Sequence, residues 1–167
     1  MHEIKTIDEL IKLIKEKTSD IDQIKFSNTL NLNERIGDDR RTPLEYAAAF
    51  GTIEMIDLLL KNGALINCTK AWITPLHEAS AWGRVDIMQY LIEHGVEVNL
   101  QNEQGITPLM CAAAQGKLDA VKLLLSFGAD INIQDDRGGN AIAIAGEKGE
   151  DEIVDFLENY STVQAKP

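Results

Sequence analysis

Three copies of the tripeptide Thr-Pro-Leu divide this chain of 167 residues into units of nearly equal length. The copies begin at Thr42, Thr74 and Thr107, at intervals of 32 and 33 residues. Glycines and asparagines repeat with the same period, at Gly51, Gly83, Gly116 and Gly149 and at Asn67, Asn99 and Asn132. A period of about 20 to 50 residues is typical of proteins in which short units stack and bury a shared core. The sequence therefore predicts a row of stacked units.

Each unit is predicted to contain two short helices. Thr42 can cap the first helix through its hydroxyl, and Pro43 suits the first helical position because it has no N–H to satisfy. An alanine-rich body follows, and Gly51 is expected to end the helix as its C′ residue. The second helix carries one apolar stripe, and Gly63 ends it. The stripe recurs in the first three units, at Ile53, Ile56, Leu59 and Leu60, at Val85, Met88, Leu91 and Ile92, and at Leu118, Val121, Leu124 and Leu125.

The segment Thr74-Pro75-Leu76-His77-Glu78-Ala79 resembles the signature of the ankyrin-repeat family in full. The first and third units depart from it at one place, where Glu45 and Met110 replace the usual His. The resemblance covers residues 38–160 and implies an all-α solenoid of stacked helix-turn-helix units with capping helices at both ends. The implied units are 38–69, 70–101, 102–134 and 135–160.

The two ends of the chain are expected to close the stack. In the fourth unit, Asn140 replaces the capping threonine, and Asp151 and Glu158 replace the apolar residues of earlier second helices, as a terminal repeat requires. Residues 1–37 are predicted to form an N-terminal helical cap or a divergent repeat, with one helix around Ile4 to Ile14 and a shorter one around Ile21 to Phe26. The segment Leu30-Asn31-Leu32-Asn33 echoes the ends of later units, which favours the divergent repeat. Residues 161–167 are expected to be a flexible tail.

Charge and composition exclude several classes of function. The net charge is -11 with a pI near 4.6, so the chain lacks the cationic surface that nucleic-acid binding needs. No stretch approaches the roughly 18 apolar residues of a membrane span, and no secretory signal is recognisable. With only two cysteines, Cys68 and Cys111, we expect a cytoplasmic protein without disulfides. We also expect a monomer.

No constellation of residues indicates catalysis. The three histidines, His2, His77 and His94, fall at unrelated positions of the repeat, and motifs for phosphate loops, metal sites and nucleophiles are missing. The acidic pair Asp135-Asp136 is interpreted as a solvated surface, and Cys111 as a small buried residue. The sequence therefore predicts a non-enzymatic protein with no cofactor and no metal site.

The resemblance implies that a protein partner binds to the turn tips and to the exposed side of the first helices, which together line a concave groove. Phe50 and Trp82 occupy equivalent positions in adjacent units and should stand side by side, about 10 Å apart as neighbouring helices pack. Trp72 stands where later units have a turn glycine. Either tryptophan has the alternative of packing within the chain. The candidate partner-binding residues are Arg41, Phe50, Lys70, Trp72, Ile73, Trp82, Glu103, Gln104, Ile106, Gln115, Arg137 and Lys148.

Acidic residues concentrate in the last unit, and they suggest the charge of a partner. From Gly128 to Tyr160 there are nine acidic residues and two basic ones, for a net charge of -7. A partner with a basic patch would be steered toward this end. Two alternatives to a general interaction module stay open. One is a small acidic inhibitor, of the immunity type, that blocks a basic enzyme or toxin, and the other is an exported effector that binds host proteins.

Overall fold

The computed structural model describes residues 2–17, 21–35, 40–67 and 73–164. In these ranges the regular secondary structure consists of helices and two short strands, in agreement with the predicted all-α fold. No described helix has both the length and the apolar character needed to cross a membrane. The elements in chain order are β1 (His2–Ile4), α1 (Ile7–Glu16), a 3-10 turn (Ile21–Gln23), β2 (Ile24–Phe26), α2 (Pro43–Phe50), α3 (Ile53–Lys61), α4 (Pro75–Ala81), α5 (Val85–Glu93), α6 (Pro108–Ala114), α7 (Leu118–Ser126), α8 (Ala141–Lys148) and α9 (Asp151–Gln164).

The first helix of each unit begins at the predicted cap. The hydroxyl oxygens of Thr42, Thr74 and Thr107 each accept the backbone N–H three residues further on, at 3.3 to 3.5 Å. Asn140 does the same in the fourth unit, where its Oδ1 accepts the N–H of Ala143 at 3.0 Å. These bonds satisfy N–H groups that have no partner inside the helix. The replacement of threonine by asparagine therefore preserves the helix start.

Glycine ends the first helices for two different reasons. Gly83 and Gly116 have φ angles of 65° and 63°, a left-handed conformation that glycine adopts readily. Gly51 ends α2 with a φ of -84°, at the C-cap and not at the predicted C′ position one residue further on. A Cβ at Gly51 would lie 2.9 Å from the carbonyl oxygen of Ala47. Glycine is therefore needed at position 51 because the backbone of Ala47 leaves no room for a Cβ, and not because of its φ angle.

The helices form two rows, and the core lies between them. Helices α2, α4, α6 and α8 pack side by side in the first row, and α3, α5, α7 and α9 lie behind them. Leu44, Leu76 and Leu109 are fully buried at the start of the first-row helices. Full burial of one such side chain stabilises the fold by about 1.5 to 3 kcal/mol relative to exposure. These leucines and the buried members of the second-helix stripe form one continuous core along the stack.

Asparagines link the end of each unit to the next. The amide nitrogens of Asn33, Asn67 and Asn99 donate to the carbonyl oxygens of Gly63, Gly95 and Gly128 at 3.1 to 3.2 Å. Asn132 occupies the corresponding position of the last connector, and it bonds to Asp130 within its own turn. The asparagine period seen in the sequence is thus a ladder of contacts between units.

The N-terminal segment differs in part from its prediction. Thr6 caps α1, so the helix begins at Ile7 and leaves Ile4 outside it. Ile4 belongs to β1, which pairs in parallel with β2, and its buried side chain joins the core. The segment expected to be a second helix is a single 3-10 turn followed by β2. Strand pairing satisfies the backbone there, so the helix predicted around Ile21 to Phe26 is wrong.

The view of residues 1–37 as a divergent repeat stays a prediction that two contacts support. Helix α1 packs on α2 and the 3-10 turn lies against α3, which are the places of a first and a second helix. Asn33 also bonds to Gly63 and Leu65 as later asparagines bond to their neighbours.

The C-terminal helix is longer than expected. The sequence predicts fraying from Ser161, but α9 continues to Gln164. The rings of Phe156 and Tyr160 stack at 6.5 Å, and the hydroxyls of Ser161 and Thr162 donate to carbonyl oxygens of the preceding turn. Asp151 and Glu158 are exposed and Leu157 is buried, in keeping with the proposed cap. Residues 165–167 lie outside the described ranges.

Candidate functional site

The residues at the C-terminal ends of the first-row helices, either the last helical residue or the C-cap, define what we call the first-helix face: Phe50, Trp82, Gln115 and Lys148. The rings of Phe50 and Trp82 meet edge to face, with centroids 4.9 Å apart and planes at 62°. The two rings are closer than the roughly 10 Å that the sequence predicts for these residues. Trp82 remains 51% exposed. Gln115 and Lys148 continue the row as exposed polar residues.

A cavity of about 550 Å³ opens beside Phe50 at the N-terminal end of this face. Tyr46 forms part of its wall, and its ring lies 6.4 Å from that of Phe50. The ammonium of Lys15 lies 5.2 Å from the Tyr46 ring centroid, and the guanidinium of Arg41 lies 5.8 Å from it. Its described lining consists of Lys15, Lys17, Arg41, Tyr46, Ala49, Phe50 and Arg84, and we call it the cationic pocket.

Arg41 is positioned by a buried carboxylate of the next unit. Its guanidinium forms an ion pair with Glu78, whose side chain is only 1% exposed. Tyr46, Glu78 and Cys111 are equivalent residues of successive first-row helices. Desolvation, and then the negative charge of Glu78, raise the pKa of Cys111 to about 12. The Cys111 thiol therefore stays protonated at neutral pH. Its side chain is half-buried, so the prediction of a buried residue holds only in part.

The histidine of the repeat signature has a structural role. The Nε2–H of His77 donates to the Ile106 carbonyl at 2.8 Å, and Nδ1 accepts from the Thr74 hydroxyl at 2.7 Å. Burial lowers the pKa of His77 to about 4, so the ring is neutral at physiological pH. His77 therefore joins two adjacent units. In the first unit the equivalent Glu45 bonds to the N–H of Thr42.

The turn tips bring several candidate residues together. The N–H of Asp136 donates to the Gln104 carbonyl at 3.0 Å, which joins the tips of the third and fourth units. Gln104, Ile106 and Arg137 line a shallow cavity of about 370 Å³ between them. Glu103 is exposed at the same tip. Ile73 is half-buried, and its carbonyl accepts from Arg35 at 3.4 Å.

Asp135 corrects the prediction of a solvated acidic surface. It is only 7% exposed, and its Oδ1 accepts the N–H groups of Gly139 and Arg137 at 2.8 and 2.9 Å. These bonds, that from Gly139 foremost, lower the pKa of Asp135. The carboxylate therefore holds the turn together, and its Oδ2 pairs with the guanidinium of Arg137 at 3.3 Å. Asp136 is exposed, as predicted.

Part of the predicted site lies outside the described residues, and part of the observed one was missed. Lys70 and Trp72 fall in the range 68–72, which the structure does not describe. Across the described ranges, no group of three His, Cys, Asp or Glu side chains is arranged to hold a metal ion. The sequence did not predict that Lys15, Lys17, Tyr46 and Arg84 line one pocket. The one available signal was Tyr46, an aromatic residue within an alanine-rich helix.

Comparison with known families agrees with this architecture. The family model described as "Ankyrin repeats (many copies)" matches residues 44–92, 76–125 and 110–157. These overlapping matches cover more than half of the chain and confirm the resemblance found in the sequence. A search of curated proteins finds no significant match. The properties of a partner therefore have to be inferred from the surface of this chain.

Proposed function

Because this chain belongs to the ankyrin-repeat family, whose repeats generally mediate protein–protein interactions, we propose that it binds one folded protein through the first-helix face and the adjoining turn tips. Ankyrin-repeat proteins are typically non-enzymatic interaction modules. The proposed contact residues are those predicted from the sequence, with Trp82 at the centre.

The observation that carries the proposal is the exposure of Trp82. Its indole packs edge-on against Phe50, and half of its surface still faces solvent. Tryptophan is among the residues that contribute most to binding energy at protein interfaces. The contact with Phe50 holds the ring in place before binding, which reduces the entropy that a partner has to overcome.

A second candidate function rests on the charge of the C-terminal unit. Asp136, Glu147, Asp151, Glu152, Asp155 and Glu158 are all exposed there. Such a surface attracts a basic protein and accelerates its association, an effect that weakens as salt rises. This supports an acidic inhibitor that blocks a basic enzyme or toxin. An inhibitor and a scaffold would bind through the same contacts. They differ in whether the free partner has an enzymatic or toxic activity that binding blocks.

Photocrosslinking tests where a partner binds. We expect p-benzoylphenylalanine at position 115, in the exposed row beside Trp82, to give one discrete adduct in native extract. The same group at position 127, which follows α7 in the second row, serves as the control and should give no adduct of that mass. Mass spectrometry of the adducts makes the comparison. An adduct formed equally well from both positions would contradict a partner bound at the first-helix face.

A further inference from the structure

The cationic pocket gathers positive charge on a protein whose net charge is -11. Of its seven described lining residues, four are cationic, and none of those seven carries a carboxylate. The four cations come from three segments that are distant in sequence. Lys15 and Lys17 belong to the end of α1, Arg41 precedes α2, and Arg84 precedes α5. Folding therefore brings together charges that repel one another.

Internal contacts account for only part of this charge. Arg41 forms an ion pair with Glu78. Arg84 donates to the carbonyl oxygens of Ala49 and Gly51 at 3.1 and 2.9 Å, which orients its guanidinium but does not neutralise it. Its guanidinium also lies 3.9 Å from the carboxylate of Asp86, which is exposed.

Lysines at the C-terminal end of α1 are favourable even without a ligand, because cations stabilise the negative end of a helix dipole. That effect explains the position of Lys15 and Lys17 but not the convergence of Arg41 and Arg84 from other units. Lys15 and Lys17 are both exposed and can turn toward a ligand at the pocket mouth. The two aromatic rings, Tyr46 and Phe50, provide an apolar wall beside the charges.

We propose that the cationic pocket receives an acidic segment of the protein partner, with carboxylates on Lys15 and Lys17 and an apolar side chain against Tyr46 and Phe50. This inference rests on the proposed function and specifies the chemistry of its ligand. Phe50 lines the pocket and also contacts Trp82, so the two surfaces are continuous. A long polyanion such as nucleic acid would be repelled by the acidic remainder of the protein.

The opposite charges at the two ends of the protein also favour one orientation of the partner. Its acidic segment lies at the N-terminal end of the first-helix face, and its basic surface lies toward the acidic last unit. Opposite charges at both ends oppose binding in the reversed direction, because each end would then meet like charge.

Titration with short peptides tests the pocket directly. The probe is the peptide Glu-Glu-Leu-Glu-Glu, added to the 15N-labelled full chain at low salt, with Gln-Gln-Leu-Gln-Gln as its neutral match. We expect amide shifts at Tyr46 and Phe50, and affinity at least about tenfold weaker for the neutral peptide. The double variant Lys15→Gln/Lys17→Gln should weaken binding of the acidic peptide by about tenfold as well.

The matched control removes the same charge from the same segment. Lys5 and Lys12 are not among the residues that line the pocket. The double variant Lys5→Gln/Lys12→Gln should therefore bind the acidic peptide with an affinity within about twofold of that of the unmodified protein, since distant exposed charges are screened. Equal weakening in both double variants would overturn the proposal, as would absence of shifts at the pocket. The same shifts with inorganic phosphate alone would overturn it too, because they would indicate a general anion site.

The proposed function and this inference can fail separately. If Trp82→Ala abolishes binding of the crosslinked partner while the acidic peptide does not bind, the first-helix face is a docking site. The proposal that the cationic pocket receives an acidic segment is then wrong. If the peptide binds at the pocket but no partner crosslinks to position 115, the cationic pocket is an anion-binding site, and the proposal that a partner binds along the first-helix face is wrong.

Discussion

Removing residues 140–167 should abolish cooperative unfolding and cause the remaining chain to aggregate. Helices α8 and α9 cover α6 and α7, and their loss exposes a row that is buried in the full chain. Val121, Leu124 and Leu125 are each at most 5% exposed. Repeat units cannot bury their apolar faces without neighbours, and a terminal unit must present a polar outer side. Asp151 and Glu158 provide that side here.

Thermal unfolding followed by circular dichroism, together with light scattering, measures the effect of the truncation. Deletion of residues 165–167 alone is the control and should leave the midpoint unchanged, since α9 ends at Gln164. A soluble chain ending at residue 139 that unfolds at the midpoint of the full protein would contradict the capping role of the fourth unit.

Arg35→Ala should destabilise the protein by about 3 kcal/mol at neutral pH, because it leaves a buried carboxylate without its ion pair. The guanidinium of Arg35 bonds to both oxygens of Glu45, at 2.8 and 3.2 Å. The Glu45 side chain is 1% exposed. Chemical denaturation at pH 7 measures the loss. Lys61→Ala breaks a pair with Asp57 that is exposed to solvent, and it should leave the stability nearly unchanged.

The loss in Arg35→Ala should depend on pH. Burial raises the pKa of Glu45 above 4.5, and Arg35 opposes that rise. A raised pKa means that the folded protein holds the proton more tightly than the unfolded chain does, so this contribution favours folding below pH 4.5 and is lost as pH rises through the folded pKa. Without Arg35 the pKa rises further and more stability is lost in that range.

The difference in unfolding free energy between the two proteins should therefore grow from pH 4.5 to pH 7. A second substitution, Glu45→Gln in the Arg35→Ala background, removes the buried charge and should restore part of the stability at pH 7. A difference of the same size at both pH values would show that Arg35 acts through packing and not through the charge of Glu45.

The repeat period made much of the fold predictable. It located the threonine caps, the two helices of each unit and the neighbouring positions of Phe50 and Trp82. It failed where an element lies outside the period. Ile4 fits a helical stripe, but the cap at Thr6 and pairing with β2 place it in a strand. Position 51 has the glycine that the period predicts, but the physical reason is the close approach of the Ala47 backbone.

The site was predictable to a smaller extent. Equivalent positions in a repeat become neighbours, so the Phe50–Trp82 pair followed from alignment of the units. The cationic pocket did not, because Lys15 and Lys17 lie in the divergent N-terminal segment and no period relates them to Arg41 or Arg84. Asp135 shows a further limit, since its burial depends on the path of the turn and not on its charged neighbours in the sequence.

The measurement that tests the central claim most directly is the dissociation constant of the partner for Trp82→Ala and for Phe127→Ala. Phe127 is also an exposed aromatic residue, but it follows α7 in the second row. Binding at the first-helix face predicts that Trp82→Ala weakens affinity by at least about tenfold, as loss of a central interface residue does. Phe127→Ala should stay within about twofold, since it lies outside the proposed interface. Equal affinities for both variants and the unmodified protein would contradict the account.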